Sequence, residues 1–185
     1  MKELSLNILD ITENSTKAGA KNIIISIVEQ GGCMTVTIKD DGCGMTKEIL
    51  QSVVDPFYTT RTTRKVGMGI PLFKLAAEQT GGSLKIESVC EQDAPVQHGT
   101  TVTAVFHTDH IDCPPMGDIV STLTTLIGGN PDVHFLFSHQ MDGKTVGLDT
   151  DELKSVLGDV PLNTFEVLKW IEAYLKEQYD APSSI

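Results

Sequence analysis

The segment KNIIISIVEQGGCMTVTIKDDGCGM, residues 21–45, limits the possible folds most strongly. Its first part is a β-branched run, Gly31-Gly32 indicates a turn, and apolar residues alternate with polar ones in the second part. A period of two is the pattern of a strand with one buried face. The segment therefore predicts a hairpin whose second strand ends at Asp40-Asp41, followed by Gly42 and Gly44.

Further helices and strands are predicted on both sides of this hairpin. Residues 3–18 place apolar side chains at helical spacing, and a short helix is expected at 46–54. An apolar helix follows at about 70–79, and two strands at 83–90 and 100–108 are expected to pair in antiparallel orientation. Helices and mainly antiparallel strands together predict an α/β protein.

The pattern restarts after a polar, proline-rich break at residues 113–115, so we divide the chain into residues 1–110 and a C-terminal α+β extension, residues 111–185. The extension is expected to hold a helix, a hairpin around Asp142-Gly143 and two further helices, the last with an Asn163–Glu166 capping box. It either packs on the first unit or docks a partner. The same apolar stripe of the last helix could serve both purposes, and it consists of Phe165, Leu168, Trp170 and Ile171.

Composition excludes several classes of function. Acidic residues outnumber basic ones 25 to 14, and the resulting net charge of −11 argues against broad binding to nucleic acid or to an anionic membrane. There is no run of about 18 apolar residues, so we expect a cytoplasmic protein without a membrane segment. The four cysteines form no CxxC pair, which disfavours a disulfide framework. His107, His110 and Cys113 leave a strand with spacing that turns the histidines to opposite faces, so we expect no metal there.

One face of the first helix has chemically useful polar groups. Asn7, Asp10, Asn14 and Lys17 are spaced three or four residues apart and share a stripe. Amide and carboxylate oxygens suit Mg²⁺, and an ammonium suits phosphate, although an ordinary solvated face has the same pattern. Both interpretations stay open on spacing alone.

Two glycine-containing motifs have the same ambiguity. Asp40 at a strand end, followed by glycines that can adopt positive φ, allows a flat ligand to approach the backbone, but an acidic turn has the same sequence. Gly67 and Gly69 immediately precede an apolar helix, whose N-terminus favours an anion. The upstream cations Arg61, Arg64 and Lys65 favour a local anion site in this acidic chain.

The order of the motifs resembles one known superfamily. NILDITENSTKAGA, DDGCGM, DPFYTT, GMGI and HGTTVTAVF occur in the order and approximate spacing of the GHKL ATP-binding domains of histidine kinases, DNA gyrase, MutL and a class of heat-shock chaperones, over about residues 4–107. DPFYTT and TGGSLKIES are most similar to histidine kinases and anti-sigma-factor kinases. The resemblance implies a two-layer α/β sandwich, the Bergerat ATP-binding fold, with a mixed, largely antiparallel sheet covered by helices on one face.

The resemblance also implies roles for individual residues, with ATP and Mg²⁺ as cofactors. Asn14 would bind Mg²⁺, Lys17 a phosphate, and Asp40 the adenine amino group, with support from Thr100 through water. Residues from about 57 to 68 would form a lid over the nucleotide. The full set of implied nucleotide-binding residues is Asn14, Lys17, Asp40, Gly42, Gly44, Met45, Phe57, Tyr58, Thr59, Thr60, Arg61, Lys65, Gly67, Met68, Gly69, Ile70 and Thr100.

The chain departs from the superfamily's pattern at two points. Asp10 stands where ATPases of the superfamily place a glutamate base, and its shorter side chain makes it a weak candidate base, so we expect weak hydrolysis. Only thirteen residues precede Asn14, and no histidine lies in an H-E-x-x-x-P setting, so we expect no phosphoacceptor segment in this chain. These features favour a stand-alone kinase or kinase-like regulator that acts on a protein partner. The alternatives are a nucleotide-gated interaction switch without phosphoryl transfer and a slow ATPase that forms a homodimer with ATP.

Overall fold

A computed structural model describes residues 3–54 and 68–182. The strands are Asn22–Gln30 (β1), Cys33–Asp40 (β2), Ser83–Val89 (β3), Gly99–His107 (β4), His134–Met141 (β5) and Lys144–Asp149 (β6). They form one six-stranded sheet in the order β3-β4-β2-β1-β5-β6. Among these strands β1 and β5 pair in parallel, and the other neighbours pair in antiparallel orientation. The predicted α/β fold with a mixed, largely antiparallel sheet is confirmed.

Helices cover the face of the sheet to which the apolar side chains point. They are Leu4–Lys17 (α1), Lys47–Val54 (α2), Gly69–Gln79 (α3), Ile119–Gly129 (α4), Thr150–Leu157 (α5) and Phe165–Asp180 (α6). Helix α1 lies between α3 and α4, and α6 packs on the other side of α4. Alternate residues of β1, namely Ile23, Ile25 and Ile27, are fully buried beneath this layer. Burying one such side chain stabilises the fold by about 2 kcal/mol, and this interface is therefore the main source of stability.

The predicted hairpin of β1 and β2 has the register that the sequence pattern requires. Gln30 pairs with Cys33 across a turn in which Gly31 and Gly32 have φ of 60° and 75°. L-residues with a Cβ rarely adopt such values, so the glycine pair defines the turn. Strand β2 then runs to Asp40, which pairs with Thr100 of β4.

The C-terminal part of the chain shares the sheet and the core with the N-terminal part. Strand β5 lies beside β1 with Phe137 opposite Ile25, and both side chains are buried. The amides of Leu4 and Ser5, at the start of α1, donate to the carbonyls of Pro115 and Met116 over 3.0 and 2.8 Å. Residues on both sides of position 110 therefore contribute to one hydrophobic core.

The predicted capping box at the start of α6 is wrong. Thr164 is the residue that precedes the helix, and no side chain forms a capping hydrogen bond there. Asn163 is exposed and lies one residue before the N-cap position, which Thr164 occupies. Tertiary packing of Val167 and Ile171 holds this helix in place instead.

A polar chain crosses from β2 to α5 along the end of the sheet. Asp41 accepts hydrogen bonds from the backbone and the side-chain amide of Asn22, whose Oδ1 lies 3.0 Å from Nδ1 of His134. The other ring nitrogen of His134 lies 2.9 Å from Oδ1 of Asp149. That oxygen also accepts from the amides of Asp151 and Glu152 and so caps α5.

We expect Asp149→Ala to lower the free energy of unfolding by about 1–2 kcal/mol, because α5 loses its cap and His134 loses a partner. Chemical denaturation measures the loss, and Asp159→Ala, which removes an exposed carboxylate beyond the other end of α5, should change stability by less than about 0.5 kcal/mol. Equal effects of the two substitutions would contradict the capping role.

The same substitution has an expected pH dependence. Burial raises the pKa of Asp149, but hydrogen bonds from Asp151, His134 and Glu152 together lower it by a larger amount. The net pKa therefore lies below the ordinary value of 3.8. A carboxyl whose pKa is lowered by folding stabilises the protein above its unfolded pKa and loses that contribution as the pH falls through the folded pKa. The stability difference between wild type and Asp149→Ala should therefore shrink below about pH 4.

Candidate functional site

The carboxylate of Asp40 is held by donors from three parts of the fold. The residue ends β2 and is 8% exposed. Its Oδ2 accepts a hydrogen bond of 2.6 Å from Ser15 Oγ on α1, and its Oδ1 accepts from the amides of Gly42 and Thr100 over 2.9 and 3.2 Å. A carboxylate held in this way has a defined orientation and retains lone pairs on Oδ2 for a further donor.

Ser15 belongs to the candidate site through its contact with Asp40, and sequence reasoning missed it. It is 4% exposed and lies beside Asn14 on the buried side of α1. Helical spacing places it in one stripe with Leu4, Ile8 and Ile11. A hydroxyl within an otherwise apolar stripe needs a buried hydrogen-bond partner, and that requirement was the available signal.

Close backbone packing surrounds the loop after Asp40. Gly44 has φ of 67°, and a Cβ added there would lie 1.9 Å from the carbonyl oxygen of Val89. A Cβ added at Gly42 would lie 2.9 Å from Cβ of Ala18 and 3.1 Å from Oδ1 of Asp40. Side chains at either position would therefore displace the loop or the carboxylate.

Thr100 and Met45 are joined through Ser88. Ser88 Oγ lies 2.9 Å from Thr100 Oγ1 and accepts a 2.8 Å hydrogen bond from the amide of Met45. Its hydroxyl also lies 3.1 Å from the carbonyl of Gly99. The loop and the start of β4 are thus connected beside Asp40.

A second group of predicted site residues lies in a cleft between α1 and the start of α3. The cleft has a volume of about 220 Å³, and its described lining consists of Asp10, Glu13, Asn14, Lys17, Met68, Gly69 and Leu72. A Cβ added at Gly69 would lie 3.1 Å from Cβ of Asp10, so the start of α3 closely approaches α1. Carboxylate, amide and ammonium groups therefore face the N-terminal end of a helix, where a bound anion is favoured.

The predicted polar stripe of α1 is divided by tertiary packing. Asp10, Asn14 and Lys17 line the cleft, but Asn7 is 2% exposed and does not. Oδ1 of Asn7 has no hydrogen-bond partner among the described residues. Lys17 Nζ lies 3.2 Å from Glu13 Oε2 and is largely exposed. The cation is therefore near the cleft, in an ion pair that an incoming anion could replace.

The structure describes some of the remaining predicted residues but not others. Met68 is 68% exposed at the cleft, whereas Ile70 is buried in the core. His107 ends β4 with Nδ1 3.6 Å from Cys33 Sγ. In the part of the chain that the structure describes, no three His, Cys, Asp or Glu residues are arranged to hold a metal. The predictions for Phe57, Tyr58, Thr59, Thr60, Arg61, Lys65 and Gly67 lie outside the described residues.

The sequence of the chain matches one ATPase family. Residues 1–110 match the sequence profile of the histidine kinase-, DNA gyrase B-, and HSP90-like ATPase family. This match covers more than half of the 185 residues. The chain belongs to this family and contains a GHKL ATP-binding domain, as its motifs had predicted.

Similar sequences are found in a sporulation kinase and in a sensor protein. The chain is 31% identical over 90 residues to sporulation kinase C of Bacillus subtilis, and 37% identical over 93 residues to the sensor protein SrrB of Staphylococcus aureus. Each match covers 48% of this chain, but only 20% and 16% of the respective relatives. The chain thus spans a fifth or less of these relatives' length.

Similar folds occur in two solved structures. The ATPase domain of Aquifex aeolicus MutL complexed with ADP has a TM-score of 0.51 at 16% identity, over 81% of this chain and 66% of that one. The N-terminal domain of a DNA repair protein has a TM-score of 0.57 at 18% identity, over 86% of this chain and 58% of that one. Both matches cover more of this chain than residues 1–110 contain, so the likeness in fold extends into the C-terminal part.

None of the described helices is both long and apolar enough to span a lipid bilayer.

Proposed function

We propose that the protein binds ATP with Mg²⁺ and acts as a stand-alone histidine-kinase-like kinase, or kinase-like regulator, on a protein partner. The observation that carries the proposal is the oriented carboxylate of Asp40 at one end of β2, together with the polar cleft between α1 and α3. An adenine amino group needs an acceptor such as Asp40 Oδ2, and a phosphate chain needs cations and helix N-termini.

The residues of the cleft fit a metal-bound triphosphate. Asn14 Oδ1 is a hard oxygen donor, which Mg²⁺ prefers, and Lys17 can contact a phosphate oxygen. Gly69 has no side chain, which allows the start of α3 to approach Asp10 closely. Mg²⁺, when bound, would neutralise phosphate charge and polarise the transferred group.

Asp10 is the candidate general base, and we propose that it is a weak base. The residue lines the cleft on the same helix as Asn14, one turn earlier. Transfer to a nucleophilic acceptor such as a histidine needs less help from a base than attack by water. A short carboxylate in this position therefore favours a kinase or regulator over an efficient ATPase. The proposal also places the protein in the cytoplasm, which supplies ATP and keeps thiols reduced.

Labelled ATP distinguishes the proposed kinase from its alternatives. The full chain would be incubated with γ-labelled ATP, Mg²⁺ and cell extract, and label would be followed on proteins and as free phosphate. The kinase predicts label on a discrete protein, lost in Asn14→Ala and retained in Asn163→Ala, an exposed asparagine remote from the cleft in sequence. Label that persists in Asn14→Ala would contradict the assigned role of Asn14.

A nucleotide-gated switch is the second candidate, and the position of α1 favours it. This helix carries Asn14 and Ser15 toward the site, while its start contacts α4 through Thr122 Oγ1, 3.3 Å from the carbonyl of Ser5. A ligand that binds one state of α1 better than another shifts the packing of α4 with it. Tight ATP binding with neither labelled protein nor free phosphate would identify this switch, and free phosphate with ATP-dependent dimers would identify the slow ATPase.

A further inference from the structure

Helix α6 has two chemically different sides. Val167, Ile171 and Leu175 are 7% exposed or less and face the core. On its outer flank, Trp170 and Tyr174 are 50% and 39% exposed, and their rings stack with centroids 4.9 Å apart. The apolar stripe predicted from the sequence is thus divided between the core and the surface.

The inner side of α6 is firmly attached to the sheet. His139 is 3% exposed, and its ring nitrogens lie 2.9 Å from Tyr179 Oη and 2.8 Å from Glu29 Oε1. Lys144 of β6 donates to the carbonyls of Tyr179 and Ala181 at the end of the helix. The outer flank is therefore presented in a fixed orientation, which lowers the entropic cost of binding a partner.

The edge of the sheet beside this flank is blocked against strand addition. Gln178 accepts a 2.9 Å hydrogen bond from the amide of Gly147, and its own side-chain amide donates to the Gly147 carbonyl over 3.0 Å. The side chain thereby occupies the outward backbone groups in the middle of β6, which a docking strand would need. A partner at this edge must instead contact side chains.

Acidic residues surround the aromatic pair. Glu166, Trp170, Tyr174 and Glu177 follow one another at helical spacing, and we call these four residues the acidic aromatic flank. All four are exposed, and neither glutamate forms an ion pair with a described residue.

Both lysines of α6 have contacts with residues outside this flank. Lys169 Nζ is 5.3 Å from the ring centroid of Phe165, and Lys176 pairs with Glu172. Both charged members of the acidic aromatic flank are glutamates, in a chain with a net charge of −11. The flank is therefore complementary to a cation.

We propose that the acidic aromatic flank binds a cationic protein segment that carries arginine or lysine. A guanidinium or ammonium group over the Trp170 ring gains a cation–π interaction, and the neighbouring carboxylates add charge-assisted hydrogen bonds. Exposed tryptophan and tyrosine are typical anchor residues of protein interfaces. A second copy of this chain fits poorly, because a two-fold contact would bring the same glutamates together.

A peptide titration tests the proposal directly, because Trp170 is the sole tryptophan of the chain. The probe is an amidated helical peptide of about 18 residues, made of leucine, alanine and arginine with the arginines along one face, and its counterpart has glutamate in place of arginine. The arginine peptide should change the Trp170 emission saturably and bind roughly tenfold more weakly at 0.5 M salt than at 0.05 M. The glutamate peptide should have no effect.

Two double variants distinguish binding at the flank from general electrostatic attraction to an acidic protein. Glu166→Gln/Glu177→Gln should weaken binding of the arginine peptide by about fivefold or more, since two carboxylate contacts are lost. Asp109→Asn/Asp132→Asn removes the same charge at exposed positions elsewhere and should leave affinity within about twofold. Equal weakening by both pairs, or no emission change with the arginine peptide, would overturn the proposal.

Two further measurements separate peptide binding from self-association and from nucleotide binding. Emission that shifts with protein concentration alone would indicate self-association through this flank and would also overturn the proposal. Asn14→Ala should bind the arginine peptide like wild type, because the flank shares no residue with the nucleotide cleft. Failure of the peptide test is therefore distinguishable from failure of the proposed nucleotide binding.

Discussion

Asp40→Asn is expected to weaken binding of ATP and ADP by roughly 10- to 100-fold while the protein remains folded. The amide oxygen can still accept from the amides of Gly42 and Thr100, which lie near Oδ1. The amide nitrogen then occupies the position of Oδ2, and the hydroxyl of Ser15 can rotate to accept from it. An adenine amino group would meet a donor there instead of an acceptor, so affinity falls more than stability.

Isothermal titration with ADP and Mg²⁺ measures this effect, and the neighbouring carboxylate supplies the matched control. Burial raises the pKa of Asp41, but hydrogen bonds from Asn22 and Lys21 together lower it by a larger amount. The net pKa therefore lies below the ordinary value. Because these donors occupy the carboxylate, Asp41→Asn should cost about 1–2 kcal/mol of stability and change ADP affinity by less than about threefold. Equal affinities of wild type and Asp40→Asn would refute the role of Asp40.

Ser15→Ala should give an intermediate result. The substitution removes one donor to Oδ2 of Asp40 but retains its negative charge and both backbone contacts to Oδ1. The expected loss of ADP affinity is about fivefold, which corresponds to roughly 1 kcal/mol for one neutral hydrogen bond. A loss as large as that of Asp40→Asn would mean that Ser15 contacts the nucleotide itself.

Gly44→Ala is expected to destabilise the protein by about 3 kcal/mol or more and to weaken ADP binding with it. Two penalties combine at this position. A Cβ disfavours φ of 67°, and the same atom would lie 1.9 Å from the Val89 carbonyl oxygen. The strand end and the loop cannot both keep their positions, so the segment beside Asp40 must move.

Gly31→Ala separates the two penalties. Gly31 has φ of 60°, close to that of Gly44, but a Cβ there meets nothing within 4 Å. It should therefore cost only the conformational penalty of about 1 kcal/mol and leave ADP affinity unchanged. Urea denaturation of the two variants measures the difference, and similar losses of stability would show that the contact with Val89 relaxes without cost.

Much of the architecture could be predicted because local pattern and final environment agree. The alternation in β2 survives because one face of this strand is buried beneath helices and the other is not. The glycine pair at 31–32 similarly predicts its turn without reference to distant residues. The failed capping box at Asn163 shows the opposite case, in which packing overrides a local preference.

In the candidate site, too, local motifs could be predicted from the sequence and long-range contacts could not. The motif Asp40-Asp41-Gly42 was recognisable because it is contiguous and ends a strand. The contribution of Ser15 was not, since a helix must pack on β2 before a hydroxyl 25 residues earlier can reach Asp40. Asn7 was assigned to the polar stripe by its spacing, yet packing of neighbouring helices buries it.

Local order along the chain thus defined the α/β class, the hairpin, and the family to which the chain belongs, because periodicity and contiguous motifs are properties of neighbouring residues. Only the tertiary structure decided that β5 pairs with β1, that Ser15 contacts Asp40, and that Trp170 is exposed while Ile171 is buried. Each of these depends on contacts between segments far apart in the chain, and no local pattern records which distant surface a side chain will meet.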